Sequence, residues 1–154
     1  MRKINWKLLI ICLAIPLAVM GLITLIIMGS FQKYGELNLP FFAPPGWLFA
    51  PVWIVLYVLM GISLYLVLNN KNSNREAIIY FGVQLLFNFA WPIVFFNFGL
   101  FWLAFVWIAI LIYLIIRMMI TFYRVNKVAC WLQLPYLLWT VFATILNLAI
   151  AIMN

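Results

Sequence analysis

The sequence predicts an all-α integral membrane protein, a bundle of five transmembrane helices. Three observations predict it. Of 154 residues, 70% are apolar and only 7% charged, against roughly half and a quarter in a soluble domain. The apolar residues gather into five stretches, each close to the ~20 residues that cross a bilayer as a helix. These stretches are continuous rather than alternating, which argues against a transmembrane β-barrel.

The first span is expected at about 8–28 and contains Pro16 and Gly21. Arg2-Lys3 before it imitates the start of a signal peptide, but no small-x-small cleavage pattern follows and the run is too long for one. It is expected to be a retained helix. A long loop, 29–46, comes next, holding Tyr34, Pro40, Phe41 and Phe42. A loop of that length beside a bundle reads as a lid. The second span, about 47–68, begins among Pro44, Pro45 and Pro51, which remove backbone donors, so a regular helix is expected only near Phe49 to Val52. From there Trp53, Tyr57, Gly61 and Tyr65 recur every four residues on one helix face. Such a face suits a flat aromatic guest or a neighbouring helix equally well. The third, fourth and fifth spans are expected at about 77–96, 100–122 and 131–153. The connections 69–76, 97–99 and 123–130 are short, which predicts antiparallel neighbours.

The formal net charge is +7. Arg2, Lys3, Lys7, Lys71, Arg75, Arg124 and Lys127 fall on one side of a five-span topology, with Arg117 near a helix end on that side, and Lys33 alone falls on the other. The positive-inside rule then puts the N-terminus in the cytoplasm and the last helix end outside. The charge is too thin and too scattered between apolar runs to indicate nucleic acid. Cys12 and Cys130 have no metal-ligand or disulfide-framework spacing and read as packing residues.

The spans hold no carboxylate, His or Lys, and Arg117 can snorkel to the headgroups. Carboxylate proton relays, His-ligated haem and two-carboxylate hydrolysis therefore lack their groups. An ion channel is not indicated, since no charged ring lines a span. The polar exceptions are amides. Gln84 and Asn88 lie one turn apart, with Trp91, Pro92 and Phe95 continuing that face, and Asn147 lies in a row with Trp139 and Ala143. An amide in hydrocarbon needs a partner, so these side chains are expected to point into the bundle. There they make interhelical hydrogen bonds or anchor a ligand. Of eight tryptophans, Trp6, Trp102 and Trp131 suit an interfacial belt, as does Trp47. Trp53, Trp91, Trp107 and Trp139 lie deeper and form either an aromatic cavity or ordinary packing. Ala14, Ala18 and Gly21 make a small-residue face that allows close helix packing, within one subunit or in a homodimer.

The run Pro44-Pro45-Gly46-Trp47, Pro51-Val52-Trp53, Leu56-Tyr57, Met60-Gly61 and Tyr65-Leu66-Val67 resembles the signature of the TspO/MBR family, which includes the tryptophan-rich sensory proteins and the mitochondrial translocator protein (peripheral benzodiazepine receptor). Gln84-Leu85, Asn88, Ala90-Trp91-Pro92 and Phe95-Phe96 are similar too. So are Leu134-Pro135-Tyr136-Leu137, Trp139, Phe142-Ala143-Thr144 and Leu146-Asn147. The resemblance runs from about Tyr34 to Asn147. It implies a single membrane domain over 1–154, often a homodimer, with a pocket under the first loop. It implies binding of porphyrins (protoporphyrin IX and haem) and of isoquinoline carboxamide and benzodiazepine ligands, at Tyr34, Trp53, Tyr57, Asn88, Trp91, Trp139 and Ala143. Some bacterial members are reported to degrade protoporphyrin in light, and Trp53 and Trp139 are the candidate catalytic residues for that chemistry. No cofactor is required on this reading; the porphyrin is ligand or substrate, and the partners are tetrapyrroles and the lipid bilayer. The cholesterol-recognition pattern of mammalian members is absent from Leu146-Asn147-Leu148-Ala149-Ile150, as is their basic tail, so a compact bacterial member in the plasma membrane is expected.

Overall fold

The computed structural model describes residues 4–154; Arg2 and Lys3, counted above for orientation, lie outside the described residues. Five helical segments are long and apolar enough to cross a membrane, and no strand occurs among the described residues. Helix α1 runs Trp6–Phe31 and passes into a 3-10 turn, Gln32–Glu36. A second 3-10 turn, Gly46–Leu48, leads into α2, Phe49–Leu68. Helix α3 is Arg75–Pro92 and widens into a π turn, Ile93–Asn97. Helix α4 is Phe101–Val125. The last span is broken into a short α5, Lys127–Trp131, and α6, Leu134–Met153.

The sequence explains these boundaries. Asn5, Asn74 and Asn126 each turn a side-chain oxygen onto the first free N–H groups of α1, α3 and α5, at 2.7 to 3.2 Å. Pro45 is extended, with ψ 144°, and the chain tightens at once, the Leu48 N–H reaching the Pro45 carbonyl at 3.0 Å. Pro51 then falls in the first turn of α2, where its missing N–H costs nothing. The expected delay of α2 to Phe49 is what the structure has. The expected single fifth helix is not. Pro135 cannot donate to the Trp131 carbonyl and its ring crowds it, so the chain turns at Leu132-Gln133 and restarts.

Around the bundle the order is α1, α2, α5 with α6, α4, α3, with the π turn closing the ring onto α1. The short connections after α3 and α4 do join packed neighbours. The 69–74 connection does not: α2 and α3 approach little beyond the Tyr57–Asn88 bond, and α1 packs on both of them. Gly61 explains why. A Cβ there would sit 2.8 Å from Leu13 Cα and 2.9 Å from the Cys12 carbonyl oxygen. Only hydrogen at that position lets α1 lie on α2. Pro16, one turn above Cys12, leaves the Cys12 carbonyl without its helical N–H partner. So the four-residue stripe divides: Trp53 and Tyr57 face a cavity, Gly61 carries the helix crossing, and Tyr65 accepts the Asn5 N–H at 3.2 Å. The other small-residue face behaves differently. Ala14, Ala18 and Gly21 point outward, and a Cβ on Gly21 meets nothing within 4 Å.

Lys7, Lys71, Arg75, Arg124 and Lys127 share one end of the bundle. Glu76 at that end is 3.7 Å from Arg117 and 3.8 Å from Arg124, exposed pairs of small energetic weight. At the other end the long loop is pinned. The Asn38 N–H donates to Asn154 Oδ1 at 3.0 Å, and Asn154 Nδ2 returns a bond to the Asn38 carbonyl at 3.1 Å. This clasps the loop to the end of α6.

Gly61→Ala is expected to lower stability by ~1–3 kcal/mol through overpacking against backbone. Gly21→Ala should be neutral or slightly stabilising. Thermal unfolding in detergent compares the two, and equal melting of Gly61→Ala and the parent would refute the close crossing.

Candidate functional site

Above the Gly61 crossing, α1, α2 and α3 leave an apolar cavity of about 390 Å³. That lies within the range of small-molecule sites. Helix α2 contributes Trp53 and Tyr57, one turn apart, their ring centroids 5.6 Å from each other. Helix α3 contributes Asn88, Trp91 and, at its widened end, Phe96. The remaining wall is α1, through Met20, Ile23, Ile27 and Phe31. Thr24 and Met28 of α1 and Ala50 and Ile54 of α2 border the cavity and are exposed. The cavity therefore opens sideways, between α1 and α2, toward the space the bilayer fills.

The floor is a continuous chain of polar side chains, with the buried Gln84 Nε2 at its end left without a partner. The Tyr57 hydroxyl donates to Asn88 Oδ1 in a short hydrogen bond. Asn88 Nδ2 donates to the Tyr136 hydroxyl at 2.9 Å, and that hydroxyl donates to Gln84 Oε1 at 2.9 Å. Both amides point inward, as their helical spacing predicted. The Asn88 amide ties two phenols together on α2 and α6. Trp91 is set in the same manner. Its Nε1 donates to Asn147 Oδ1 at 3.1 Å, while Asn147 Nδ2 holds the Phe101 carbonyl at the start of α4, at 2.9 Å. The indole plane is thereby fixed as a cavity wall.

The roof is aromatic. Phe49 packs edge-on against Phe31, Tyr34 and Trp139, with centroids 5.9, 5.3 and 6.0 Å away. Tyr34 is buried, and its hydroxyl donates to the Pro44 carbonyl at 3.2 Å, holding the Pro-rich strand of the loop over the bundle.

Of the seven residues expected at a ligand site, the structure brings Trp53, Tyr57, Asn88 and Trp91 together on this cavity. Tyr34, Trp139 and Ala143 do not line it. Tyr34 stands behind Phe31 and Phe49; Trp139 is on the far side of Phe49, packed on Phe142 at 5.4 Å. The Trp139 Nε1 is buried without a partner. Ala143 is buried one turn beyond Trp139 in α6. The two candidate catalytic indoles are thus divided: Trp53 borders the cavity and Trp139 is screened from it. Trp107, grouped with them by depth, is a packing residue, stacked on Phe87 at 4.8 Å with its Nε1 on the Phe87 carbonyl at 3.0 Å. The α1 wall was missed from sequence. Its residues are uniformly apolar, and its one hydroxyl there, Thr24, bonds its own helix at the Met20 carbonyl. Phe49 was missed as well, since nothing in its spacing separates a roof from a core side chain.

Comparison with known proteins gives a consistent result. A family model described as the TspO/MBR family matches residues 9–153. The tryptophan-rich protein TspO of Chlorobaculum tepidum is 37% identical over 129 residues, 79% of this chain and 78% of the relative. That of Archaeoglobus fulgidus is 41% identical over 123 residues, 79% of each. The translocator protein of Ovis aries is 34% identical over 122 residues, 77% of this chain and 72% of the relative.

Removing one link of the floor should be felt by the others. Tyr57→Phe and Asn88→Ala are each expected to cost ~1–3 kcal/mol of stability by stranding a buried partner. In a double-mutant cycle they should couple by ~0.5–2 kcal/mol. Strict additivity in unfolding measurements would show that the two side chains act independently.

Proposed function

The chain belongs to the TspO/MBR family, and we propose that it serves there as a membrane receptor for porphyrins, protoporphyrin IX and haem, and for isoquinoline carboxamide or benzodiazepine-type ligands, in tetrapyrrole sensing, transport or regulation. Family membership fits a sensory or binding role in a membrane. The observation that carries the finer reading is the cavity itself: apolar, large enough for a small molecule, and walled by Trp53, Trp91, Phe31 and Phe96 around a rigid hydrogen-bonded floor. Aromatic walls stack on a flat macrocycle. The sideways opening lets an apolar ligand arrive from the bilayer without crossing the loop. A porphyrin's carboxylates would stay toward the loop end and water. The chain has no His, so metal-free protoporphyrin should bind at least as well as haem.

Tyr34, Trp139 and Ala143 enter this reading through Phe49. If its ring swings away, the cavity extends to Trp139, whose free Nε1–H then gains a ligand acceptor. A homodimer is part of the same proposal, with the outward Ala14, Ala18 and Gly21 face as its close-packing surface, as is a plasma-membrane orientation with Lys7 and the other clustered basic residues in the cytoplasm.

The second reading is an enzyme that breaks down protoporphyrin IX in light with dioxygen as the oxidant, the pocket tryptophans relaying an electron to the photoexcited macrocycle or to the reactive oxygen formed from it. Trp53, which borders the cavity, is the better placed of the two; Trp139 would act only after Phe49 moves.

Absorbance of purified protein with protoporphyrin IX, in darkness and under illumination, tests both. A bound spectrum with Trp53→Phe within about tenfold of the parent and Trp53→Ala weaker by tenfold or more is expected, since only the second loses the stacking surface. Absence of any saturable binding would refute the receptor reading. A new product in light, formed by the parent and lost in the Trp53→Phe, Trp139→Phe double variant, would establish the enzyme.

A further inference from the structure

A second recess, of about 160 Å³, lies at the loop end of the bundle, between the end of α1 and the 97–101 turn. It shares Phe96 with the main cavity but is chemically unlike it. Phe95 and Phe101 give it an aromatic floor, while Ser30, Lys33 and Asn97 make its rim polar. There is room for several waters' worth of headgroup. Gly99, at φ +64°, lets the chain reverse tightly beside it.

Asn97 sets the chemistry. Its Nδ2 donates to the Ile26 carbonyl at 3.3 Å. Turning the amide over would press oxygen on oxygen, so the orientation is decided. The Oδ1 is then buried with no donor to satisfy it. Lys33 brings a cation to the same recess, and among the described residues neither ion pair involves it. Glu36, one turn on, is exposed and is the only carboxylate side chain at this end of the bundle among the described residues; Glu76 lies at the other. The recess thus offers a cation beside a vacant acceptor, and suits an anion that carries its own hydrogen-bond donor nearby.

The depth points to the source. Phe98, Leu100 and Trp102 are exposed at this level, as expected where a helix end meets the membrane interface. Leu22, Ile26 and Ser30 follow one another along one face of α1, and Lys33 comes next in the 3-10 turn that continues it. Leu22 and Ile26 are exposed, so an apolar strip descends from the recess into the hydrocarbon.

We propose that this recess holds the headgroup of a single membrane phospholipid, with the phosphate on Lys33, a headgroup hydroxyl or ammonium donating to Asn97 Oδ1, and an acyl chain along Leu22 and Ile26. Phosphatidylglycerol and phosphatidylethanolamine both carry that phosphate-plus-donor chemistry, and phosphatidylcholine lacks the donor. Native mass spectrometry of the full chain after detergent exchange, with each lipid added in turn, tests it. One phosphatidylglycerol or phosphatidylethanolamine per chain should be retained, with phosphatidylcholine at least fivefold less. Lys33→Gln should lower retention about fivefold, the worth of one interfacial lysine, while Lys127→Gln at the opposite end should not. Asn97→Asp separates the two sources: it favours the ammonium of ethanolamine and weakens glycerol binding. Equal retention of phosphatidylcholine by the unaltered protein, which requires no variant to fold, would overturn the proposal. So would unchanged retention in Lys33→Gln.

Discussion

A buried amide surrounded by hydrocarbon must find its hydrogen bonds within the protein, and this requirement organises the bundle. Membrane helices gain little from hydrophobic burial against one another, so packing and polar pairs decide which faces meet. Here the Tyr57–Asn88–Tyr136–Gln84 chain joins α2, α3 and α6. Trp91–Asn147–Phe101 joins α3, α6 and α4. Gln133 Nε2, at the break between α5 and α6, donates to Ser63 of α2 at 2.6 Å. Four spans are thereby sewn together below and beside the cavity. A floor built in this way holds its side chains in place whether or not a ligand is present, which is what preorganised binding needs.

Helix α1 is attached by other means. It is held by apolar packing on α2, by the Gly61 crossing, by Phe31 against Phe49 and Phe96, by the Asn97 bond to the Ile26 carbonyl, and by the N–H of its N-cap Asn5 on Tyr65. None uses a side-chain amide of α1 inside the span. The cavity is bounded on one side by α2 and α3, locked to each other and to α6 through polar side chains, and on the other by α1, which is held near its two ends and at one close crossing. The sideways opening lies along that less tied wall. The same arrangement gives α1 two outward functions in the readings above, lipid contact along Leu22 and Ile26 and a small-residue face on Ala14, Ala18 and Gly21.

The aromatic roof explains why a set of residues that reads as one pocket is divided. Phe49 is the first residue of α2, positioned by the Pro45 turn. Its ring meets Tyr34 on one side and Trp139 on another. This ring thus stands between the Trp53 and Trp91 side and Trp139. The loop above, clasped through Asn38 and Asn154, keeps Tyr34 against that ring. The loop is pinned at this end of the bundle, and the partition beside it is a side chain of α2.

Much of the architecture was legible in the residues. Spans were readable because a backbone crossing a bilayer must satisfy its own N–H and C=O groups, which leaves only long apolar helices. The inward direction of Gln84, Asn88 and Asn147 followed from the cost of an unpaired amide. The late start of α2 followed from three prolines. What the sequence could not express was which helices adjoin. The short 69–74 connection suggested that α2 lies against α3, yet one hydrogen atom at Gly61 lets α1 pack on α2 instead. Nor could spacing say that Trp107 bonds the Phe87 carbonyl while Trp91 faces a cavity, since both are indoles at similar depth. Local composition determines what must be buried and what must be paired. The choice of partner is made by close contacts between residues far apart in the chain, and those exist only once the helices have packed.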